Sequence, residues 1–217
     1  MSRLRVVERR LFELSRGEAA PLTVLLTTIA VAGALNGAAM GSFACDSLDR
    51  AELILFAAVK VPLLLLATAT LCLPGFFAIN AVAGLSHVFT RTLRAILAGQ
   101  AALAFALASL SPLILLSYLS GADHPLALLL NACAFSCASA CGHVVMRRYY
   151  RALILEDSRH RLMLAVWVLL YALVGIQMGW LLRPFVGGPN APVTFFRQEP
   201  VSNAYLVVIQ LVLDVAR

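Results

Sequence analysis

The sequence predicts an all-α integral membrane protein, and three observations lead to this fold class. Of its 217 residues, 61% are hydrophobic and 13% are charged, whereas soluble domains are about 45–50% apolar and about 25% charged. The mean hydropathy is +0.89. The apolar residues are gathered in long runs, and a helix needs about 20 such residues to cross a hydrocarbon core of about 30 Å. We therefore expect a helical bundle with five transmembrane helices plus interfacial or re-entrant helices.

Five apolar runs supply these spans and divide the chain into three parts. Residues 1–20 form an N-terminal segment, residues 21–182 a five-span domain, and residues 183–217 a Pro/Gly-rich tail with a short terminal helix. The predicted spans cover residues 21–43, 53–73, 95–119, 125–146 and 162–182.

The first 20 residues predict an amphipathic helix. Its apolar residues recur at helical spacing with arginines between them, at Leu4, Val7, Leu11 and Leu14. Such a helix lies on an anionic cytoplasmic leaflet or docks on the cytoplasmic loops, and the sequence leaves both arrangements open.

The second apolar run is longer than one span. It stays apolar over residues 53–85, which as a single helix would measure about 50 Å. Pro74 and Gly75 are the expected break, because proline removes a backbone donor and glycine frees the dihedral angles. Residues 76–89 are then expected to form a short interfacial or re-entrant helix.

The arginines predict which way the chain faces, because positive residues accumulate in short cytoplasmic loops. A cytoplasmic N-terminus places twelve arginines on that side: Arg3, Arg5, Arg9, Arg10, Arg16, Arg91, Arg94, Arg147, Arg148, Arg151, Arg159 and Arg161. It places four on the other side: Arg50, Arg183, Arg197 and Arg217. We therefore expect the N-terminus inside and the C-terminus outside.

The tail ends in a short apolar segment. Residues 183–192 are too rich in proline and glycine for regular structure. Residues 201–217 are apolar except for one polar stripe, formed by Asn203, Gln210, Asp214 and Arg217. Because this segment is short for a span, we prefer a helix at the outer interface or against a neighbouring helix. A sixth span that returns the C-terminus to the cytoplasm is the alternative.

Two stripes of small residues predict close helix packing. They are Gly33, Gly37 and Gly41 on the first span, and Cys133, Cys137 and Cys141 on the fourth. Glycines four residues apart let a neighbouring backbone approach, and we expect the cysteines to act as small apolar residues. Cys133 and Cys141 lie about 12 Å apart along the axis, too far to share a metal ion. The two stripes could meet, or either could face another subunit.

Lys60 is the one ionisable residue well inside a predicted span. A lysine at that depth costs about 2.5–3.5 kcal/mol on insertion scales, so the sequence predicts a feature that offsets the cost. One interpretation is a substrate, ion or counter-ion site. The other is a side chain that extends toward the outer headgroups, near Asp46, Asp49 or Glu52.

Asn36, Asn131 and Gln177 complete the candidate intramembrane site with Lys60. Polar uncharged residues in spans usually face the bundle and form hydrogen bonds between helices. Asn36 lies beside the glycine stripe and Asn131 near the cysteine stripe, so we expect these two side chains to bond to each other.

Part of the sequence resembles a group of uncharacterised bacterial polytopic membrane proteins. Residues 177–192 (QMGWLLRPFVGGPNAP), followed by residues 195–197 and 203–205, resemble their C-terminal signature. Residues 60–66 together with residues 74–76 resemble their second span. The resemblance implies their fold and a bacterial inner-membrane location, and brings no known activity. The five-span plan is also similar to the Yip family of vesicle-trafficking membrane proteins, by topology alone.

Two functions fit these features, and neither is enzymatic. The first is an oligomeric channel or transporter subunit whose path is lined by Lys60 and the polar residues of the spans. The alternative is a membrane scaffold or accessory subunit of a larger complex.

Membrane lipids and either further copies or other membrane proteins are the expected partners. The sequence predicts no cofactor, metal ion or nucleic acid. An enzyme acting on a lipid-linked substrate would need an outer polar cluster of Arg183, Asn190, Arg197 and Glu199.

Overall fold

A computed structural model describes residues 20–44, 50–188 and 193–196. Over these residues it contains five long helices and no strand: α1 Leu22–Gly41, α2 Glu52–Val82, α3 Phe89–Leu119, α4 His124–Glu156 and α5 Arg159–Leu182. All five are long and apolar enough to cross a membrane. The predicted all-α bundle with five spans is therefore confirmed. The predictions for the N-terminal helix and for residues 201–217 lie outside the described residues.

The five helices alternate in direction. Near the start of α3, Arg91 forms an ion pair with Glu156 at the end of α4, with a nitrogen–oxygen distance of 2.7 Å. We call this the basic end, because the helix segments there carry Arg91, Arg94, Arg147, Arg148, Arg151, Arg159 and Arg161. The opposite end holds the last turn of α1, the first turn of α2 and the last turn of α5. Of the twelve arginines that the sequence assigned to one side, the seven that the structure describes thus lie at one end of the bundle.

Glycines end two of the long helices. Gly84 after α2 and Gly121 after α3 have positive φ angles of 75° and 83°. At Gly84, the next residue donates its N–H to the carbonyl oxygen of Asn80, and Gly84 donates to Ala81. This paired arrangement satisfies carbonyl groups that the helix end leaves open, and it requires a left-handed residue that glycine adopts without steric cost.

Helix α2 does not break at Pro74 and Gly75, so that prediction is wrong. It continues through both residues to Val82, a length of 31 residues, or about 46 Å. A break inside a hydrocarbon layer would expose backbone groups that no water can satisfy, whereas a continuous helix loses only the bonds at its prolines. The expected interfacial or re-entrant helix over residues 76–89 is therefore absent: residues 76–82 belong to α2, a three-residue 3-10 helix covers Ser86–Val88, and α3 begins at Phe89.

The glycine stripe brings the backbones of α1 and α2 into contact. A Cβ atom on Gly37 would overlap the carbonyl oxygen of Ala57, and one on Gly41 would lie 2.5 Å from the carbonyl oxygen of Leu53. At Gly33 the nearest α2 atom would be 3.2 Å away. Side chains at Gly37 and Gly41 would force the two helices apart.

The cysteine stripe lies elsewhere and does not meet the glycine stripe. Cys133, Cys137 and Cys141 are exposed on the surface of the single chain. Helix α4 packs on α3 through other small residues: a Cβ on Gly142 would lie 2.7 Å from the carbonyl oxygen of Gly99. That the cysteine stripe faces another subunit stays a prediction.

A candidate ligand cavity between two helices

Helices α4 and α5 pack together at the basic end and separate toward the opposite end. Close to their connection, Met146 and Tyr150 of α4 share a buried apolar cluster with Met163 and Trp167 of α5. Farther from the connection, the two helices line a cavity of about 1280 Å³. This exceeds the roughly 300–1,000 Å³ of pockets that bind drug-sized molecules, so the cavity has room for a lipid chain.

The cavity opens sideways between these helices. Exposed residues on both rims also line it: Leu128, Ala132 and Ser139 on α4, and Ala172 and Ile176 on α5. Both helices are long enough to span a bilayer, so in a membrane this opening faces the hydrocarbon layer.

Three polar side chains form a polar level on the inner wall: Gln100, Tyr171 and Thr68. The Tyr171 hydroxyl donates a hydrogen bond of 2.9 Å to Gln100 Oε1 and lies 3.5 Å from the carbonyl oxygen of Leu65. Thr68 lies one turn from Leu65 on the same helix face and is fully buried. Its hydroxyl has no partner among the described residues.

Asn131 also lines the wall, closer to the opposite end. Its amide nitrogen donates to the Tyr118 hydroxyl, at 2.5 Å, and to the carbonyl oxygen of Ala127, at 2.7 Å. Its Oδ1 atom is buried and has no partner among the described residues. A buried polar atom left unpaired costs free energy, which a ligand or an ordered water in the cavity would recover.

Residues 183–188, which we call the cap segment, line the cavity at the opposite end. The Lys60 ammonium group donates to the carbonyl oxygen of Pro184 at 2.8 Å, and the Arg50 guanidinium donates to that of Gly188 at 2.6 Å. Val186 is buried in the main apolar core. Two cations and two apolar side chains, Val186 and Phe185, thus hold the cap segment on the bundle.

The cavity wall carries positive charge but no negative charge among the residues that the structure describes. Among the lining residues that the structure describes there is no aspartate or glutamate, while Arg183 contributes a permanent positive charge near the opposite end. The Arg183 guanidinium stacks on the Trp180 ring, 3.3 Å from its centroid. The wall therefore suits uncharged or anionic molecules better than cationic ones.

Lys60 is buried, with 1% of its surface exposed, and it does not line the cavity. Besides Pro184, its ammonium group lies 4.9 Å from the centre of the Phe195 ring, a cation–π contact. Within the described residues no carboxylate forms an ion pair with it. These contacts offset the cost of placing a lysine at this depth, and they make Lys60 a partner of the cap segment.

The other candidate residues of the predicted intramembrane site do not lie together in the structure. The predicted bond between Asn36 and Asn131 is not formed, because the Asn36 amide nitrogen donates to the Leu107 carbonyl oxygen and to Ser111 Oγ. Neither side-chain oxygen of the two asparagines accepts a hydrogen bond. Asn36 thus joins α1 to α3. Gln177 is half-buried on α5 and lies outside the cavity wall, so Asn131 alone of the four candidates reaches the cavity.

Sequence reasoning did not find the polar level. Gln100 stands out as a polar residue in a span, but Thr68 and Tyr171 are common within apolar helices. Their proximity depends on how α2, α3 and α5 pack, and no spacing along the chain encodes it. Of these three residues, only Gln100 could have been singled out from the sequence, as an isolated glutamine within an apolar span.

No known protein family, curated protein or solved structure matches this chain.

Proposed function

We propose that this multi-pass membrane protein is a carrier or transporter subunit that takes a lipid-sized molecule from the bilayer into the cavity between α4 and α5. The observation that carries the proposal is the sideways opening of a large cavity with an apolar wall and a buried polar level. A wall of this kind favours a hydrophobic or amphipathic molecule over a hydrated ion, because few polar groups are present to replace the water around an ion.

The proposal includes a location and an orientation. We propose that the chain lies in a bacterial inner membrane with its basic end in the cytoplasm, since seven arginines of the described helices lie toward that end. Single cysteines placed in the connections at each end test this orientation. A membrane-impermeant maleimide added to intact spheroplasts should label the opposite end, and labelling of the basic end alone would contradict it.

The carrier function is tested by filling the opening. The Ala172→Trp variant places a large ring on the rim of the cavity, and Leu169→Trp places the same ring on an exposed part of α5 that does not line it. In nanodiscs, Ala172→Trp should weaken binding of a fluorescent fatty-acyl lipid about tenfold or more and slow its transfer between vesicles. Leu169→Trp should leave both unchanged.

Two results would overturn the carrier function. One is equal lipid binding by the native protein and the Ala172→Trp variant. The other is a disulfide between Ala172→Cys and Leu211→Cys in a chain whose native cysteines have been replaced, since the cavity would then hold the chain's own C-terminal residues.

A second candidate function, an accessory subunit of a larger complex, is favoured by the exposed cysteine stripe of α4. Small residues there would let a helix of another chain approach closely. Oxidative cross-linking in membranes distinguishes the occupants. A homodimer through Cys137 supports an oligomeric carrier, and a cross-link to a different protein supports the accessory role.

A further inference from the structure

We infer that the ligand of the cavity is an uncharged lipid bearing a carbonyl oxygen, such as a ketone, quinone or ester, and that this oxygen binds to Gln100 and Thr68 of the polar level. This inference rests on the proposed carrier function and specifies the chemistry of the molecule carried.

Two hydrogen-bonding groups of the polar level remain available to a ligand. Gln100 Oε1 already accepts the Tyr171 hydroxyl, while the amide nitrogen of Gln100 donates to no described residue. The Thr68 hydroxyl is fully buried and has no partner. Both groups can donate, so the wall offers two donors whose complement is an acceptor such as a carbonyl oxygen.

These two donors lie close together in the cavity wall. The Tyr171 hydroxyl reaches both Gln100 on α3 and Leu65 on α2, and Thr68 lies one turn from Leu65. Gln100 and Thr68 therefore lie at neighbouring positions of the same wall, where one polar group of a ligand can approach both.

The polar level lies about midway along the helices that carry it. Thr68 lies 16 residues after the first residue of α2 and 14 before its last, and Tyr171 lies 12 after the first residue of α5 and 11 before its last. The polar level is thus near the middle of both helices, where an ionised group is costly in a membrane. Among the described lining residues no permanent charge lies near this level to pair with one.

The rest of the cavity suits the remainder of such a lipid. Apolar side chains including Leu103, Leu128, Phe135 and Val168 line the space around the polar level, and the opening between α4 and α5 lets a chain extend into the bilayer. A ligand with one polar group and a long hydrocarbon chain therefore satisfies the donors and also covers the apolar wall.

The test uses three probes of equal chain length: a long-chain ketone, the corresponding alkane and the corresponding carboxylate. Each competes with a fluorescent fatty-acyl lipid for the protein in nanodiscs. The ketone should displace the lipid at a concentration about five- to tenfold lower than the alkane, the effect of one or two hydrogen bonds. The Thr68→Val variant, which keeps the side-chain shape, should remove most of this preference, and Gln100→Leu should do the same.

Thr70→Val is the matched control, because Thr70 is exposed and its hydroxyl already donates to the Leu66 carbonyl oxygen. This variant should keep the ketone preference. Thermal unfolding of each variant confirms that it is folded, and Thr68→Val keeps the test decisive if Gln100→Leu does not fold.

Three outcomes overturn the inference. Equal displacement by ketone and alkane, or a preference unchanged in Thr68→Val, excludes recognition at the polar level. Strongest displacement by the carboxylate assigns the site to an anionic ligand near Arg183 instead. In all three cases the carrier function still stands if Ala172→Trp blocks the fluorescent lipid. If that variant has no effect on binding, the carrier function itself is wrong.

Discussion

The ammonium nitrogen of Lys60 lies 2.8 Å from the carbonyl oxygen of Pro184 and donates a hydrogen bond to it. This bond joins the second helix to the segment after the fifth, 124 positions later in the chain. It supplies a partner for a cation that the sequence places inside a span. A carbonyl group and an aromatic ring thus offset the free-energy cost of burying the Lys60 charge.

Lys60→Met should loosen the cap segment. A hydrogen bond to a charged group contributes about 1.5–3 kcal/mol, and methionine fills a similar volume without donating. A cysteine introduced at the buried Val186 should react with maleimide faster in the Lys60→Met background than in the native background. Lipid binding in the cavity should change only together with the reactivity at position 186, because Lys60 does not line the cavity and acts on it through the cap segment. Loss of lipid binding with unchanged reactivity at position 186 would instead place Lys60 in the functional site.

Gly37→Ala should destabilise the protein by about 1–3 kcal/mol, the usual cost of overpacking, because the new methyl group would overlap the Ala57 carbonyl oxygen. Gly75→Ala is the matched control. A Cβ there meets no atom within 4 Å, and alanine favours a helix by up to about 1 kcal/mol over glycine. Thermal unfolding in detergent should therefore rank Gly75→Ala at or above the native protein and Gly37→Ala below it. Equal stability of the two variants would contradict the contact between α1 and α2.

Asn36 and Ser111 should be energetically coupled. The Asn36 amide nitrogen lies 3.2 Å from Ser111 Oγ, and hydrogen bonds between membrane helices contribute about 0.6 kcal/mol on average. A double-mutant cycle of Asn36→Leu and Ser111→Ala should give a coupling energy of about that size. The cycle of Asn36→Leu with Asn131→Leu should be additive, because each asparagine has its own partners. The reverse pattern would support the bond that the sequence suggested.

The connection between α4 and α5 should titrate at low pH. The Arg159 side chain, together with its backbone N–H, lowers the pKa of the Asp157 carboxyl group to about 2, from an ordinary value of 3.8. The stabilisation is therefore complete above about pH 4 and is lost as the pH falls through about 2. In Arg159→Ala the pKa of Asp157 should return toward 3.8, whereas Arg161→Ala should leave it low. Carbon-13 NMR of the Asp157 carboxyl group measures both values, and an unchanged pKa in Arg159→Ala would contradict the pairing.

The sequence predicted the five spans but was wrong about where the second helix ends. Runs of apolar residues specify which segments can leave water, and this property is local, so all five helices were found. Whether a proline ends a helix is not decided by the local sequence. It depends on whether the backbone groups that lose their hydrogen bonds at the proline find other partners. In an apolar environment those groups find no water to bind, so α2 passes through Pro74 and ends at Val82, and a left-handed turn at Gly84 closes the helix.

The sequence by itself determined the fold class, the five apolar helices and the gathering of arginines at one end, because hydrophobicity and charge act through the composition of each segment. Only the tertiary structure decided that the glycine stripe meets α2, that Lys60 binds the cap segment, and that Gln100, Tyr171 and Thr68 share one wall. Those relationships depend on which helix faces become neighbours and where two helices separate. Contacts between residues far apart in the chain decide both, and the cavity exists because α4 and α5 are held together at only one end.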